Sequence, residues 1–204
     1  IFVACALFVP SVYRGEAYRW SADWVPVLGV AVSFTLDGLS LLFCLIISGI
    51  GFLIALYAVR YLEHSPYQNR FYIFFYSFLV SMLGLVLADD LIALFVFWEL
   101  TTLTSYLLIG FEHQREKARF NARQALLTTG AGGLAMLVGI LLLGKMGGST
   151  NITDLIDQAG HLQQDPLYLP ALICILAGAL TKSAQFPFHF WLPNAMSAPA
   201  PISA

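Results

Sequence analysis

The chain has 204 residues, of which 59% are hydrophobic and only 11% are charged, and its mean hydropathy is +0.78. Soluble domains carry about 25% charged residues, so this composition excludes an ordinary soluble protein and indicates an integral membrane protein. The formal net charge of -2 gives no indication of a nucleic-acid partner, and the spacing of the cysteines and histidines suggests no metal site.

The sequence begins without a methionine and ends in PAPISA, which reads as the start of another segment. We therefore expect a fragment of a longer chain, with residues 1–204 forming a single transmembrane domain. Residues 1–9 fit the end of a spanning helix that Pro10 would stop. Residues 11–36 are predicted not to span, and four of their aromatic side chains fit a belt at the membrane surface: Tyr13, Tyr18, Trp20 and Trp24.

The stretch VAVSFTL, residues 30–36, favours a short hairpin packed on the bundle because its β-propensity is high. Asp37 then precedes an apolar run that predicts a helix to about residue 62. An aspartate in this place is typical of an N-cap, which accepts hydrogen bonds from the free N–H groups of the first turn. A position on an ion path is the alternative for Asp37.

Two further spanning helices are predicted, over residues 71–88 and about 91–111. Asp89 and Asp90 form the tight turn between them and are expected to be solvated. The second helix carries Glu99 near its middle, and an intramembrane carboxylate costs roughly 3 kcal/mol even on the mildest scales. A membrane helix that keeps such a group is expected to give it a partner or a task.

A charged loop is predicted at residues 112–119. It leads into a glycine-rich helix over residues 123–144, whose small residues permit neighbouring helices to approach closely. Apolar residues at helical spacing within 152–162 then predict a short interfacial helix.

The last spanning segment, residues 167–190, carries Lys182 and should break near Phe186, because Pro187 removes a backbone donor and clashes with the preceding turn. Broken helices at membrane depth are tolerated only against protein or a hydrated cavity. Residues 191–204 contain three more prolines and are predicted to form a re-entrant or loop segment.

The charged residues divide between two sides when the loops are assigned alternately. The positive-inside rule makes one side cytoplasmic, and its basic residues are Arg60, Arg70, Arg115, Lys117, Arg119 and Arg123. The opposite side has Arg14, Arg19 and Lys145, with most of the acids. Of the 10 basic and 12 acidic residues, this assignment leaves only Lys182 and Glu99 inside the membrane.

An unpaired lysine in hydrocarbon releases its proton, whereas a nearby carboxylate keeps the ammonium group charged. We therefore interpret Glu99 and Lys182 as a proton-transfer pair whose separation switches proton uptake and release. A static buried ion pair that fixes helix packing is the alternative.

Several polar side chains near the pair are suited to a hydrated path. They lie on the two predicted helices that carry Glu99 and Lys182: Thr101, Thr102, Thr104, Ser105, Thr181, Ser183 and Gln185. His189 follows the predicted break, and histidine is a common proton carrier in proteins, so it is either a proton relay on this path or a hydrogen-bonded loop histidine.

Three stretches resemble the proton-translocating antiporter-like family: DGLSLLF at 37–43, FWELTTLTSYLLIGF at 97–111 and TKSAQFPFHFWLPNAMSAPAPISA at 181–204. That family comprises the large membrane subunits of respiratory complex I and of Mrp-type multisubunit Na+/H+ antiporters. Within it, LGLVLADDLIALFVFWEL at 83–100 and REKARF at 115–120 resemble the A subunits of Mrp antiporters in particular.

The resemblance implies an all-α, polytopic transmembrane bundle, of which this fragment holds most of the first of two inverted repeats. It implies that Glu99 and Lys182 match the family's paired acid and lysine. It also implies a multi-pass subunit of a hetero-oligomeric complex in the bacterial inner membrane, which acts on protons and Na+ without a cofactor. Two positions depart from the family pattern, which usually has Asp at Asn194 and Glu at Ser197.

Three functions are consistent with these features. The first is a proton-conducting subunit of a cation/proton antiporter complex. The second is the homologous proton-pumping subunit of an NADH:quinone oxidoreductase, whose redox chemistry would lie in other subunits. The third is a structural membrane subunit with a static ion pair.

Overall fold

The computed structural model describes residues 1–25, 30–196 and 198–203. Helices dominate these ranges, and one two-stranded sheet precedes the first long helix. In chain order the elements are α1 (Phe2–Tyr13), β1 (Tyr18–Val25), β2 (Val30–Leu36), α2 (Gly38–Tyr61), α3 (Gln68–Leu87), α4 (Leu91–Ile109), α5 (Glu116–Gly147), α6 (Ile152–Asp157), α7 (Ala159–Leu162), α8 (Tyr168–Lys182), α9 (Trp191–Ala195) and α10 (Ala200–Ser203).

Four helices, α2 to α5, are long and apolar enough to cross a membrane, with 24, 20, 19 and 32 residues. Helices α1 and α8 are apolar but shorter, with 12 and 15 residues. Large apolar side chains on the outer faces remain exposed, as at Leu53 and Leu134. Such faces suit contact with lipid, and the arrangement confirms the predicted polytopic helical bundle.

Strands β1 and β2 pair antiparallel, which confirms the hairpin predicted from residues 30–36. The Trp20 and Phe34 rings stack across the pair with 5.9 Å between their centroids. The Asp89 N–H donates to the Ser33 carbonyl at 2.9 Å, so the hairpin is fixed to the turn between α3 and α4.

Helices α5 and α8 pack closely because glycines line their contact. A Cβ added at Gly139 would lie 2.7 Å from the Ala171 carbonyl oxygen, and one at Gly178 would lie 2.9 Å from the Gly132 carbonyl oxygen. The backbone of α8 therefore lies directly on that of α5, as the small residues of this segment predicted.

The break predicted near Pro187 is present, but α8 already ends at Lys182. The chain leaves the helix through a Schellman turn, in which the Gln185 N–H donates to the Leu180 carbonyl at 2.9 Å. Ala184 occupies the left-handed position of this turn, with φ 51°. The hydrogen bonds of the turn thus end the helix before the proline is reached.

Three predicted boundaries are wrong. Helix α1 continues through Pro10 to Tyr13, although a proline inside a helix removes one backbone donor and crowds the preceding turn. The predicted interfacial helix is divided into α6 and α7 at Gln158. The predicted charged loop is shorter than expected, since α5 already begins at Glu116.

The prediction that Asp89 and Asp90 are solvated is also wrong, since they are only 5% and 3% exposed. Asp90 caps α4 and accepts hydrogen bonds from its first-turn N–H groups. Asp89 forms an ion pair with Arg19 of β1 at 3.1 Å. The hairpin covers Asp89 through Arg19, and Asp90 is covered by Thr150 of the segment after α5, whose hydroxyl donates to it.

Candidate functional site

Lys182, the last residue of α8, directs its ammonium group to α4. The Nζ atom lies 2.6 Å from Thr101 Oγ1, 2.9 Å from Thr102 Oγ1 and 3.0 Å from the Trp98 carbonyl oxygen. These three acceptors match the three donors of an ammonium group. The Trp98 ring also faces the cation, with its centroid 5.1 Å from Nζ.

The spacing of residues on α4 creates this lysine site. Positions 98, 101 and 102 are three and four residues apart and therefore share one helix face. Both threonine hydroxyls donate to the Trp98 carbonyl, at 2.7 and 3.2 Å, which leaves their lone pairs for the ammonium group. Thr101 is fully buried and Thr102 is 2% exposed, so these oxygens are shielded from solvent.

Glu99 directs its carboxylate towards α5. Its Oε1 atom is buried without a hydrogen-bond partner in the described part of the chain, and a Cβ added at Gly133 would overlap it. Within the described ranges, no ion pair within 4.0 Å joins Glu99 to Lys182. The structure brings Lys182 to α4, the helix that carries Glu99. The ammonium group contacts neutral oxygens there and not the carboxylate.

Two adjacent glycines of α5 make room for this arrangement. A side chain at Gly132 would overlap Thr181, just as one at Gly133 would overlap Glu99. On the side of α9, the Trp191 indole N–H donates to the Thr181 carbonyl at 2.9 Å. The site is therefore enclosed by α4, α5, α8 and α9.

The residues predicted for a hydrated path lie in different environments. Thr101 and Thr102 contact Lys182 directly. Ser105 lines a cavity of about 420 Å³ whose other walls are mostly apolar. Residues of α2, α3, α9 and α10 also line the cavity, and none of the three Lys182 acceptors is among its walls.

Three predicted residues beyond Lys182 are exposed and are not brought to the site. The Ser183 hydroxyl donates to a carbonyl of its own helix at 2.7 Å. Gln185 lies in the turn that ends α8, and the ring of His189 stacks on Phe186 with 6.0 Å between the centroids.

Asp37 is the N-cap of α2 and forms a capping box with Ser40. Its Oδ1 atom accepts from the Ser40 N–H at 2.8 Å, and the Ser40 hydroxyl accepts from the Asp37 N–H at 2.8 Å. The hydrogen bond from the Ser40 backbone is the largest cause that holds the pKa of Asp37 below its usual value.

Two features of the site were not predicted from the sequence, namely the contacts of Lys182 with the two threonines and with the Trp98 carbonyl. The threonines are predicted above only as part of a hydrated path, and the Trp98 carbonyl is not predicted at all. The available signal was the three- and four-residue spacing of positions 98, 101 and 102 on the helix that carries Glu99.

The segment after α8, which includes α9, contains the two departures from the family pattern. The Asn194 side-chain amide donates to Gln124 Oε1 at 2.7 Å, and the Asn121 amide donates to the Asn194 carbonyl at 2.8 Å. These two hydrogen bonds attach α9, which contains Asn194, to the N-terminal part of α5. Ser197 lies outside the described residues. Within the described ranges, no group of three His, Cys, Asp or Glu side chains is arranged to hold a metal.

Two family models match this sequence. The model described as NADH:quinone oxidoreductase/Mrp antiporter, TM, matches residues 88–204, which include α4, α5 and α8. The model described as NADH-Ubiquinone oxidoreductase (complex I), chain 5 N-terminus, matches residues 24–72.

Curated relatives carry antiporter names. The A/B subunit of a probable K(+)/H(+) antiporter of Rhizobium meliloti is 47% identical over 203 residues, which are 100% of this chain and 20% of the relative. The A subunit of the Na(+)/H(+) antiporter of Alkalihalophilus pseudofirmus is 45% identical over an alignment of 205 positions, which covers 100% of this chain and 26% of the relative. The chain thus spans about a fifth to a quarter of the length of these relatives.

Solved structures share the fold. A chain of the Mrp complex from Dietzia sp. DQ12-45-1b superposes with a TM-score of 0.84 at 38% identity, over 97% of this chain and 22% of that one. A chain of the membrane-bound sulfane sulfur reductase, an archaeal respiratory membrane complex, superposes with a TM-score of 0.86 at 25% identity, over 99% and 41%.

Proposed function

Since this chain belongs to the family of membrane subunits shared by NADH:quinone oxidoreductases and Mrp antiporters, we propose that it is part of the proton-translocating A subunit of a multisubunit cation/proton antiporter. The antiporter names of its relatives support this choice within the family. Its partners are then the other subunits of that complex, protons, a monovalent cation and the lipid of a bacterial inner membrane.

In this proposal Glu99 and Lys182 move the proton. The supporting observation is that α8 ends at Lys182 and delivers its ammonium group to residue 98, next to Glu99 on α4. A short displacement of the lysine side chain or of the end of α8 changes its distance from the carboxylate. Approach favours the charged ammonium, and separation favours release of its proton.

The relatives differ in the cation for which they are named. Relatives of nearly equal similarity, at 45% and 47% identity, are named for Na+ and for K+, respectively. We propose Na+ for this chain, and both cations belong in the assay.

The test is cation-driven collapse of a pH gradient in inverted membrane vesicles that contain the full complex. We expect Glu99→Gln and Lys182→Ala to abolish it while the complex still assembles. Lys182→Arg should also be impaired, because a guanidinium does not release its proton at accessible pH. Lys145→Ala is the control, since it removes an exposed lysine in the last turn of α5, away from the contacts of Glu99 and Thr181 at the middle of that helix. Normal exchange in both Glu99→Gln and Lys182→Ala would leave only a structural role for the pair.

The second candidate is the homologous subunit of an NADH:quinone oxidoreductase. It is favoured by the family model for residues 24–72, which describes a complex I chain. Proton movement in the same vesicles would then require NADH and would not respond to an added cation.

A further inference from the structure

We propose that Thr101, Thr102 and the Trp98 carbonyl form a resting site that holds the Lys182 ammonium group apart from Glu99. The two threonines are then positioning residues, which set how readily the lysine exchanges between neutral oxygens and the carboxylate. This inference rests on the proposed function, because it assigns the partners between which Lys182 moves.

The hydrogen bonds at the resting site show how neutral oxygens can hold the ammonium group. Each threonine hydroxyl donates to the Trp98 carbonyl, so its proton is committed and its lone pairs are available to the lysine. The ammonium group therefore contacts three neutral oxygens and no anion, at N–O distances of 2.6 to 3.0 Å. A half-buried cation with three acceptors needs no contact with Glu99.

The Glu99 carboxylate is the competing partner for the Lys182 ammonium group. Its Oε1 atom has no hydrogen bond in the described part of the chain, so it gains a donor if the lysine turns towards it. Glu99 is the only charged residue of α4, and α9 has none. The balance therefore lies between one carboxylate and three neutral oxygens, and the loss of one oxygen shifts the lysine towards Glu99.

Thr104 was predicted for the hydrated path, but the structure directs its hydroxyl to the backbone carbonyls of Leu100 and Thr101. It therefore supplies a matched control on the same helix. It is 7% exposed, and its hydroxyl donates to the Leu100 carbonyl at 2.7 Å, as Thr101 does to Trp98. Among the described contacts, it makes no hydrogen bond to Lys182. Replacement by valine preserves the shape of either threonine and removes the hydroxyl.

The experiment compares Thr101→Val, Thr101→Ser and Thr104→Val in the full complex, with exchange rates normalised to the amount of assembled complex. We expect Thr101→Val to lower the rate by roughly tenfold, the scale of one hydrogen bond to a charged group. Serine should restore most of the rate, and Thr104→Val should stay within about twofold of the wild type. Thr102→Val and Thr102→Ser repeat the test if Thr101→Val fails to assemble.

Equal rates in Thr101→Val and Thr104→Val, or a serine variant as slow as the valine variant, would overturn the resting site. The proposed function fails differently, through normal exchange in Glu99→Gln and Lys182→Ala. Loss of exchange in those two variants, with no difference between the two valine variants, would refute only this inference.

Discussion

Gly133 of α5 makes the space that the Glu99 carboxylate occupies. An added methyl group would overlap the far end of that flexible side chain, so the bundle should still assemble with the carboxylate displaced. We expect Gly133→Ala to lower cation/proton exchange by about tenfold to a hundredfold, since small misplacements of reacting groups have effects of this size. The measurement is exchange in vesicles with equal amounts of complex.

Gly130 provides the control for this substitution, because a Cβ there meets nothing within 4 Å. Gly130→Ala should leave exchange unchanged and stabilise the helix by about 1 kcal/mol. Equal exchange in the two alanine variants would show that the position of the carboxylate does not limit the reaction.

A substitution at Asp37 distinguishes a structural role as the N-cap of α2 from a role in ion movement. Asparagine caps helices about as well as aspartate, so Asp37→Asn should lower stability by only about 0.5 kcal/mol at neutral pH, through loss of the charge at the helix N-terminus. Exchange should be unchanged if the capping box with Ser40 is the role of this residue. A large loss of exchange with an unchanged melting temperature would favour the ion path instead.

The pH dependence of the same variant follows from the lowered pKa of Asp37. A carboxylate with a lowered pKa in the folded state stabilises the fold above its ordinary pKa of 3.8, and this contribution is lost as the pH falls through the folded-state value. The melting temperatures of the wild type and Asp37→Asn should therefore approach each other below pH 3.8. A constant difference would show that the charge of Asp37 does not stabilise the start of α2.

At the level of single residues, the sequence predicted that Glu99 and Lys182 lie within helices of the bundle, because the assignment of loops to two sides leaves only these two charges inside apolar runs. Their contacts could not be found in this way. The Trp98 carbonyl is a backbone atom without a sequence signature, and hydropathy does not show which oxygens face Lys182. The direction of the Glu99 side chain depends on the space at Gly133, which exists only after α4 and α5 pack.

The end of α8 is the element that places Lys182. Ala184 holds the left-handed position of the terminal turn at φ 51°, where a Cβ costs about 1 kcal/mol relative to glycine. Ala184→Gly should therefore raise the stability of the complex by about that amount, read as a higher melting temperature. Ala179→Gly, in the interior of the same helix, should lower it by about 1 kcal/mol. Changes of the same sign would contradict this turn.

Helix boundaries were predictable where hydropathy changes abruptly and were not where proline was the only signal. The three helices α2, α3 and α4 lie within a few residues of their predicted positions. Pro10 does not end α1, and the Schellman turn ends α8 before Pro187. Backbone hydrogen bonds of the surrounding turns decide these ends, and their partners are set by the folded chain.

For the whole molecule, the contacts agree with the two sides assigned from charge. At one end, Arg70 of α3 contacts His113 Nδ1 at 3.0 Å, which joins two turns assigned to the cytoplasm. At the other end, the Leu91 N–H donates to the Thr150 carbonyl at 2.8 Å, which joins the α3–α4 turn to the segment after α5.

Asp89 connects three segments at this second end. It pairs with Arg19 of the hairpin at 3.1 Å and accepts from the Thr153 hydroxyl of α6 at 2.9 Å, while itself lying in the α3–α4 turn. Asp89→Ala should therefore lower the stability of the complex by about 2 kcal/mol, because Arg19 and Thr153 lose a buried acceptor. It should also release the hairpin, since the ion pair fixes β1 to the bundle.

The two expectations for Asp89→Ala have separate measurements. Stability is read from the melting temperature of the complex, and release of the hairpin is read from the rate of tryptic cleavage after Arg19. Asp157→Ala removes the same charge from an exposed position at the end of α6 and should change neither. If Asp89→Ala and Asp157→Ala are cleaved at the same rate, the hairpin is held by its backbone bond to Asp89 and its ring contacts, and the carboxylate contributes nothing to its attachment.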